Sequence, residues 1–524
     1  MQDYLHIGRA SDLKDPGSKR IYRALETLPG LLAWSTLFLV VILSATAPVF
    51  TSIFIIAFDV YWLTKTIYLS LHLRASYNKL KQNLKINWLE RLEKLPVAGY
   101  RLRTIKSWQD VYHFVFIPVY KEDYSVVSGC IEGLLKTNYP KSKMAVTLSW
   151  EERAGVETEN MAKEIEKTYK NLFYEFAVVK HPDGLPGEMR GKGSNTAYGA
   201  KFAKENIIDP RGISYDHILV SNFDVDTVVS PEYFGALTHA FLTSDNPLRA
   251  SYQPIPLYVN NIWEAPSIAR VVAFSATFWH TIKQEKHETA TTFSSHSMTW
   301  RALVDVGFWQ KNMVSEDSRI FWQCFLRYDG DYRVVPLYYP VSMDANVAPS
   351  VWTTLKNIYK QQRRWAYGAE NIPYFLFGFI KNKAMSLRKK WHYGFMVTEG
   401  NHSWATNAII IFALGWLPIF LGGSEFNQTV LSFNLPYLTR LIMTLSMLGL
   451  ISSAVLSIIL LPPRPPKYGR FKYFWMAAQW VLFPVTTIFL GSLPALDAQT
   501  RLMLGKYLGF WVTPKVRHKT VDYF

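Results

Sequence analysis

Cysteine is nearly absent from this chain: Cys130 and Cys324 are the only two, far apart and without metal-ligand neighbours. That excludes a disulfide-stapled scaffold and a thiolate zinc site, and it predicts two buried free thiols in a reducing compartment. Charge is also sparse, at 19% of residues against 49% hydrophobic and 15% aromatic. This is apolar for a wholly soluble protein and too charged for a pure membrane bundle. A length of 524 residues accommodates a catalytic domain together with several membrane segments. A Walker loop is missing as well, because Gly191-Lys192-Gly193-Ser194-Asn195 lacks the Gly-x-x-x-x-Gly-Lys-Ser spacing. Residues 1–29 are too long and too acidic for the basic region of a cleaved signal peptide, so the first apolar run is expected to stay as an anchor.

The basic excess is a net +16, but its residues cluster beside apolar segments, as in Lys381, Lys383, Arg388, Lys389 and Lys390. Such flanks point to membrane lipids and a cytoplasmic face, with no nucleic acid as partner. Residues 31–50 and 51–71 are each long enough to cross a bilayer, with Ala45-Thr46-Ala47-Pro48 as the turn between them. Asp59 and Lys65 fall inside the second, where structural pairing is the favoured explanation. Residues 404–422 and 437–461 make a second pair of crossings, joined by a loop without Lys or Arg. Residues 373–380 are too short to span and are expected in the interface. The segment 471–493 is ambiguous, since a full crossing would strand Arg501, Lys506, Lys515, Arg517 and Lys519 outside. Pro484, Gly491 and Pro494 favour a kinked, re-entrant or interfacial path instead.

Between residues 108 and 344 short strand-like runs alternate with amphipathic helices, the pattern of an α/β domain. Residues 113–120 and 144–150 read as buried strands, the second running into Glu151-Glu152-Arg153. Ligands of such sheets bind at the carboxyl ends of the strands. A third run, 217–223, leads to Asp224-Val225-Asp226. Carboxylates at i and i+2 of an extended end point the same way and can address one hard cation, although a turn or a helix cap uses the same residues. Glu316-Asp317 opens an apolar helix, as a dipole-matched start or as a general base in a cleft. Gln361-Gln362-Arg363-Arg364-Trp365 offers a guanidinium for phosphate and a flat ring for a sugar, or a basic aromatic anchor at the headgroups. Gln253-Pro254 and Asn260-Asn261-Ile262-Trp263 can line an acceptor side or form a β-edge.

In their order these motifs resemble membrane-embedded family-2 glycosyltransferases of the cellulose synthase and hyaluronan synthase type. Pro118-Val119-Tyr120-Lys121-Glu122 is similar to that family's Pro-x-Tyr-Asn-Glu, and Lys192 to Asn195 to its Lys-Gly-Ala-x-Asn. Asp224-Val225-Asp226 resembles its metal motif, Ser315-Glu316-Asp317 its Thr-Glu-Asp, and Gln361 to Trp365 its Gln-x-x-Arg-Trp. Phe510-Trp511-Val512-Thr513-Pro514-Lys515-Val516 resembles the gating loop of cellulose synthases, with Val516 for the final Gly. Glu151-Glu152 stands where the family has Asp-Asp, and Lys121 replaces an Asn.

The resemblance implies an α/β GT-A domain inserted between transmembrane helices, with interfacial amphipathic helices beside it. With the apolar segments it divides the chain into a cytoplasmic segment 1–29, a transmembrane hairpin 30–73, a GT-A catalytic domain 74–346, interfacial helices 347–402, a transmembrane pair 403–462, and 463–524 as a kinked membrane or interfacial segment with a cytoplasmic gating loop. It implies Asp317 as catalytic base, and Tyr120, Glu151, Glu152, Lys192, Asp224, Arg364, Thr513 and Lys515 at the nucleotide-sugar donor. Tyr120, Lys192 and one of the two glutamates are expected around the nucleotide base. Trp365 and Gln361 would meet the glycan acceptor, and Asp224 and Asp226 would hold Mg²⁺ or Mn²⁺. The implied activity is inverting, processive transfer from a UDP-sugar to a β-linked polysaccharide at the cytoplasmic face of the cell or inner membrane, with export. The alternative is a single transfer to a lipid or other membrane acceptor; a transporter or scaffold without catalysis would need accidental acidic motifs. With only four or five membrane segments, a homo-oligomer or an export partner is a candidate to complete a channel.

Overall fold

The computed structural model describes residues 4–514. Proline opens each of the first two long helices, α1 (Pro16–Thr46) and α2 (Pro48–Asn83), where its missing N–H costs nothing. Only Ala47 separates them, a tighter turn than the four residues expected. Both helices also outrun their apolar spans, because their polar ends carry buried faces: Tyr22 and Glu26 on α1, Leu73, Ser76 and Leu80 on α2. Of the two charges within residues 51–71 of α2, Lys65 pairs with Glu399 at 3.2 Å and Asp59 is buried.

An α/β domain follows, with β1 (Tyr112–Val119), α3 (Tyr124–Leu135), β2 (Met144–Glu151), α4 (Val156–Tyr169), β3 (Glu175–His181), α5 (Lys192–Ala203), β4 (Ile218–Asn222), β5 (Val228–Val229), β6 (Ala250–Tyr258), α6 (Ser267–Glu285), β7 (Ser297–Thr299), α7 (Glu316–Arg327) and β8 (Arg333–Met343). One sheet has the order β3-β2-β1-β4-β7-β6-β8-β5. β1 lies parallel to β2 and β4, and β2 to β3, so these four strands end on one side of the domain. Helices cover both faces, which is why β2 and β4 are buried at every position rather than alternating. β7 runs antiparallel between β4 and β6, and β6 pairs parallel with β8. β6 is therefore internal, and the edge position considered for Gln253-Pro254 is not what the sheet contains.

The C-terminal third continues with α8 (Val351–Ala366), α9 (Asn371–Lys381), α10 (Leu387–Ile409), α11 (Val430–Ile459) and a broken helical run ending in α12 (Leu493–Met503). α9 does not face headgroups: Ile372, Tyr374, Phe375, Phe377 and Phe379 are buried within the protein. Among the described residues, four helical runs are long and apolar enough to cross a membrane: Pro16–Thr46, Pro48–Asn83, Val430–Ile459 and Phe471–Met503. The segment 404–422 forms no such helix. α10 carries Glu399, Asn401, His402 and Asn407, gives way to a π turn at Ile410–Leu414, and restarts as the short helix Leu417–Leu421. It packs along α1, with Thr36 Oγ1 2.9 Å from His402 Nε2, and ends where a Cβ on Gly422 would lie 2.8 Å from Pro48.

The run Phe471–Met503 is kinked, with a 3₁₀ turn at Gln479–Leu482 and a π turn at Ile488–Ser492. Arg270 of α6 donates to Gln479 at 2.7 Å near its start. Ser492 then donates to the Trp404 carbonyl at 2.8 Å, and Arg23 of α1 donates to the Leu502 carbonyl at 2.9 Å. Both ends of the run thus contact residues at the catalytic-domain end of the bundle. Gly378 lets α9 lie directly on α7: a Cβ there would fall 2.5 Å from Leu326 Cδ1, in the buried core. Gly378→Ala is expected to cost about 1–3 kcal/mol through overpacking, read as a lower unfolding midpoint in detergent.

Candidate active site

Three parallel strands deliver polar residues to one cleft. β1 ends at Val119 before Tyr120, β2 at Glu151, and β4 at Asn222, two residues short of Asp224. Helix α5 starts at Lys192, and its second residue, Gly193, lies against the partner helix α7: a Cβ would meet the Gln310 carbonyl oxygen at 2.9 Å and Glu316 Cβ at 3.0 Å. This approach aims Lys192 between two carboxylates. Its Nζ donates to Asp224 Oδ1 at 2.6 Å and to Asp317 Oδ2 at 2.9 Å, and lies 3.9 Å from Glu316 Oε1. Burial pulls the ammonium pKa down, but Asp224, Asp317 and Glu316 outweigh it and hold the pKa above the ordinary lysine value. Because the folded pKa is the raised one, the charge and its ion pairs persist through neutral pH and fail only at strongly alkaline pH.

Asp317, the second residue of α7, also accepts from Asn222 Nδ2 at 3.2 Å, and His296 Nδ1 stands 3.9 Å away. His296 is fully buried, and burial pushes its imidazole pKa down. Glu316, beside Asp317 on the first turn, is pushed up by burial and then by its neighbour's charge. Asp224 accepts from Ser294 Oγ at 2.6 Å. Asp226 lies deeper, wholly buried, with its Oδ2 accepting the Asp344 N–H at 3.0 Å. Asn260 Nδ2 ties the Asp226 carbonyl to Asp344 Oδ1, at 3.0 and 2.9 Å.

The sequence-predicted residues separate into those this cleft gathers and those it does not. Lys192, Asp224, Asp226 and Asp317 come together, but Lys192 sits between the acidic motifs and not with the residues expected around a nucleotide base. Glu151 lines the cleft and accepts from Arg153 Nε at 2.5 Å, while the Arg153 guanidinium lies 4.2 Å from the Tyr120 ring centre. Glu152 turns away from the cleft, half exposed, to Lys180 at 2.7 Å. Arg364 and Trp365 enter from α8. The Arg364 guanidinium stands 4.9 Å from the Phe510 ring centre, and its Nε has no hydrogen-bond partner among the described residues. Trp365 is braced by Tyr258 and Phe293, at ring-centre distances of 5.9 and 5.7 Å. Gln361 is buried on the same wall.

Phe510 also explains Gly191, at φ +153°: a Cβ there would sit 2.5 Å from Phe510 Cγ. The segment 510–513 therefore lies over the start of α5, with Thr513 buried and its Oγ1 unpartnered among the described residues. Lys515 and Val516 lie outside the described residues. Sequence reasoning missed Asn222, Ser294, His296 and Arg153 as contributors. Their signal was positional only, since each flanks a motif or strand end that had been singled out.

The residues fit a divalent cation of the hard class. Asp224 and Asp226 present carboxylate oxygens from one turn, and among the described residues no cluster of three or more His, Cys, Asp or Glu completes a protein-only site. Such a pair is the donor set of a cation that takes its remaining ligands from phosphate oxygens and water. The cleft opens into a cavity of about 1440 Å³ that continues between α2, α10, α11 and the run Phe471–Met503, past Ser403, Asn407, Ser446 and Thr487.

A family model described as glycosyl transferase family group 2 matches residues 219–493. Among curated proteins, the poly-beta-1,6-N-acetyl-D-glucosamine synthase of Staphylococcus aureus (strain COL) is 37% identical over 71 residues, 14% of this chain and 15% of that protein. The chain thus matches only a small part of that relative's length. Among solved structures, the mannosyltransferase PcManGT from Pyrobaculum calidifontis, in complex with GDP-Man and Mn²⁺, aligns with a TM-score of 0.39 at 14% identity, over 77% of this chain and 99% of that one. The S. aureus TarS 1–349 complex with UDP aligns with a TM-score of 0.36 at 11% identity, over 66% of this chain and 90% of that one. Since residues 219–493 are more than half of the 524, and they run from β4 through the acidic motifs and Arg364-Trp365 into the membrane helices, the chain belongs to glycosyl transferase family group 2.

Proposed function

We propose that this enzyme transfers a sugar from a nucleotide-sugar donor, a UDP-sugar in our reading, to a growing β-linked polysaccharide, with inversion and processively. The observation that carries the reading is the continuity of the Lys192–Asp224–Asp317 cleft with the long cavity between the membrane helices. A product end held at Trp365 has a path away from the site without leaving the protein. The 37% identity to a polysaccharide synthase supports the reading over the stretch it covers.

The reaction is displacement at the anomeric carbon. The acceptor hydroxyl oxygen bonds to that carbon as the bond to the nucleoside diphosphate breaks, and the hydroxyl proton goes to Asp317. Lys192 and Asn222 donate to Asp317 and fix its orientation, as a base requires. A single base without a paired nucleophile gives inversion. Asp224 and Asp226 would hold Mg²⁺ or Mn²⁺, which offsets charge on the departing diphosphate. Arg364, whose Nε has no partner among the described residues, adds a fixed positive charge on the same side. Tyr120 and Glu151 border the base of the donor, Trp365 and Gln361 hold the acceptor sugar, and Phe510 to Thr513 close over the diphosphate and limit hydrolysis. The catalytic domain, the N-terminus and the C-terminus are then on the cytoplasmic face, with 471–503 entering the membrane and returning.

Asp317→Asn is expected to lower transfer by about a hundredfold or more while donor affinity is kept, the scale of general-base assistance. Calorimetric donor titration beside product assay checks this, and joint loss of binding and turnover would refute the role. Lys192→Met leaves Asp224 and Asp317 facing each other and should cost on the order of 3 kcal/mol of stability. Part of that should return in Lys192→Met/Asp224→Asn, read by unfolding midpoints. Reconstitution in sealed vesicles with labelled nucleotide sugars reports product length and side. Products of one added sugar would replace the processive reading, and a C-terminal tag reached only from the outer face would overturn the closure by Phe510 to Thr513.

A further inference from the structure

Part of the cavity wall carries a cluster of lysines that the transfer reaction does not use. Lys65 comes from α2, Lys283 from α6 and Lys286 from just beyond it, and all three line the cavity together with Glu399 of α10. Glu399 is the carboxylate of this group: it accepts from Lys65 at 3.2 Å and from Ser403 Oγ at 2.6 Å. Lys79 and Glu285 pair with each other, so they do not neutralise the cluster. Burial lowers the Lys283 pKa to about 8, with Lys286 and Lys65 adding to the shift and Glu399 opposing it. Three ammonium groups against one carboxylate leave an excess of two positive charges facing an enclosed space.

The rim of this space is aromatic and looks outward. Tyr61 and Tyr68 of α2, Trp279 of α6 and Phe395 of α10 are exposed, and each belongs to the cavity wall. The lysines lie on these rings: Lys65 Nζ is 5.3 Å from the Tyr61 ring centre, Lys283 Nζ 5.1 Å from Trp279, and Lys286 Nζ 4.3 Å from Tyr68. Exposed aromatics beside lysine, toward the domain end of a membrane helix, mark headgroup level. An ordinary interfacial belt would spread its lysines outward, whereas these converge on one opening. A short aromatic path joins the opening to the acceptor side: His280, one turn before Lys283, packs 4.0 Å from Phe293, which packs 5.7 Å from Trp365.

We propose that this basic opening between α2, α6 and α10 binds the phosphate of an anionic membrane lipid, admitted sideways from the bilayer. The lipid's tails stay outside against the aromatic rim while its phosphate takes the place of the missing counter-charge. Lipid retention tests this without any reference to sugar transfer, so its outcome is separate from that of the proposed activity. The full chain is purified in mild detergent, equilibrated with equal amounts of phosphatidylglycerol and phosphatidylcholine, and the retained lipids are quantified by native mass spectrometry. At about fivefold per unpaired lysine, two excess charges predict a preference of roughly twenty-fivefold for phosphatidylglycerol. Lys286→Gln, which leaves no carboxylate newly unpaired, should cut that preference about fivefold at unchanged phosphatidylcholine retention and melting temperature. Lys65→Gln/Lys283→Gln/Lys286→Gln should abolish it. Equal retention of the two lipids by the wild-type chain, or a preference that survives Lys286→Gln and the triple change, overturns the proposal. Complete displacement of phosphatidylglycerol by millimolar inorganic phosphate would assign the opening to free phosphate, and selective capture of a uronic-acid oligosaccharide to an anionic glycan; either result overturns the lipid assignment.

Discussion

Much of the site depends on one ammonium group. Lys192 is donated by the start of a helix, Asp224 by the end of a strand and Asp317 by the start of another helix, and the lysine is what lets the two carboxylates share a cleft. Without it, the two carboxylates would face each other across the cleft with no cation between them. The tight fit of Gly193 against Gln310 and Glu316 supplies the geometry: α5 must come this close to α7 for the lysine to reach both partners. The glycine-rich run that opens α5 thus serves close packing rather than a phosphate loop, in keeping with its failure to match a nucleotide-binding spacing.

Around this centre the chain recruits segments from far along the sequence. Arg319, two residues after Asp317, is fully buried and reaches Asn371 at 2.6 Å, the Ile7 carbonyl at 2.9 Å and Gln310 at 3.0 Å, with the Tyr374 ring centre 3.8 Å away. One side chain therefore ties the helix bearing Asp317 to the N-terminal segment and to α9. Glu370 accepts the Val314 and Ser315 N–H groups at 3.2 and 2.9 Å and fixes the entry to the same helix. The position of Asp317 is in this way set by residues next to the membrane helices. The opposite wall is fixed similarly, because Arg363 of α8 pairs with Asp497 of α12 at 2.9 Å and so sets the approach of Arg364 and Trp365.

Local chemistry was legible in the sequence and distant packing was not. Buried strands announced themselves as continuous apolar runs, and the residues following them fell where strand ends place ligands, as with Asp224 after β4. The long apolar helices α1, α2 and α11 were equally plain, although their ends were not, since polar turns such as the one holding Glu26 are helical only because the domain covers them. Residues 404–422 fall short of one continuous apolar helix because Asn407 and the π turn after it interrupt the run, while the segment still lies beside α1 as far as Pro48. The destination of Glu152, outside the cleft, and that of Lys192, between the acids rather than near Tyr120, depended on which way one side chain turns at an element's first or last residue. No periodicity encodes that.

The kinked run Phe471–Met503 shows how the same constraint reaches the membrane. Its apolar length alone would allow a crossing, yet the 3₁₀ and π turns bend it so that Arg270 holds its beginning and Arg23 its end. Backbone irregularity of this kind is tolerated at membrane depth only where protein or a polar cavity covers it, and Thr486, Thr487 and Ser492 of this run do line the cavity. Returning the chain to the domain side is also what delivers Phe510 onto Gly191 and beneath Arg364. The path that ties this run to Arg270 near its beginning and to Arg23 at its end is thus the one that lays Phe510 over the start of α5.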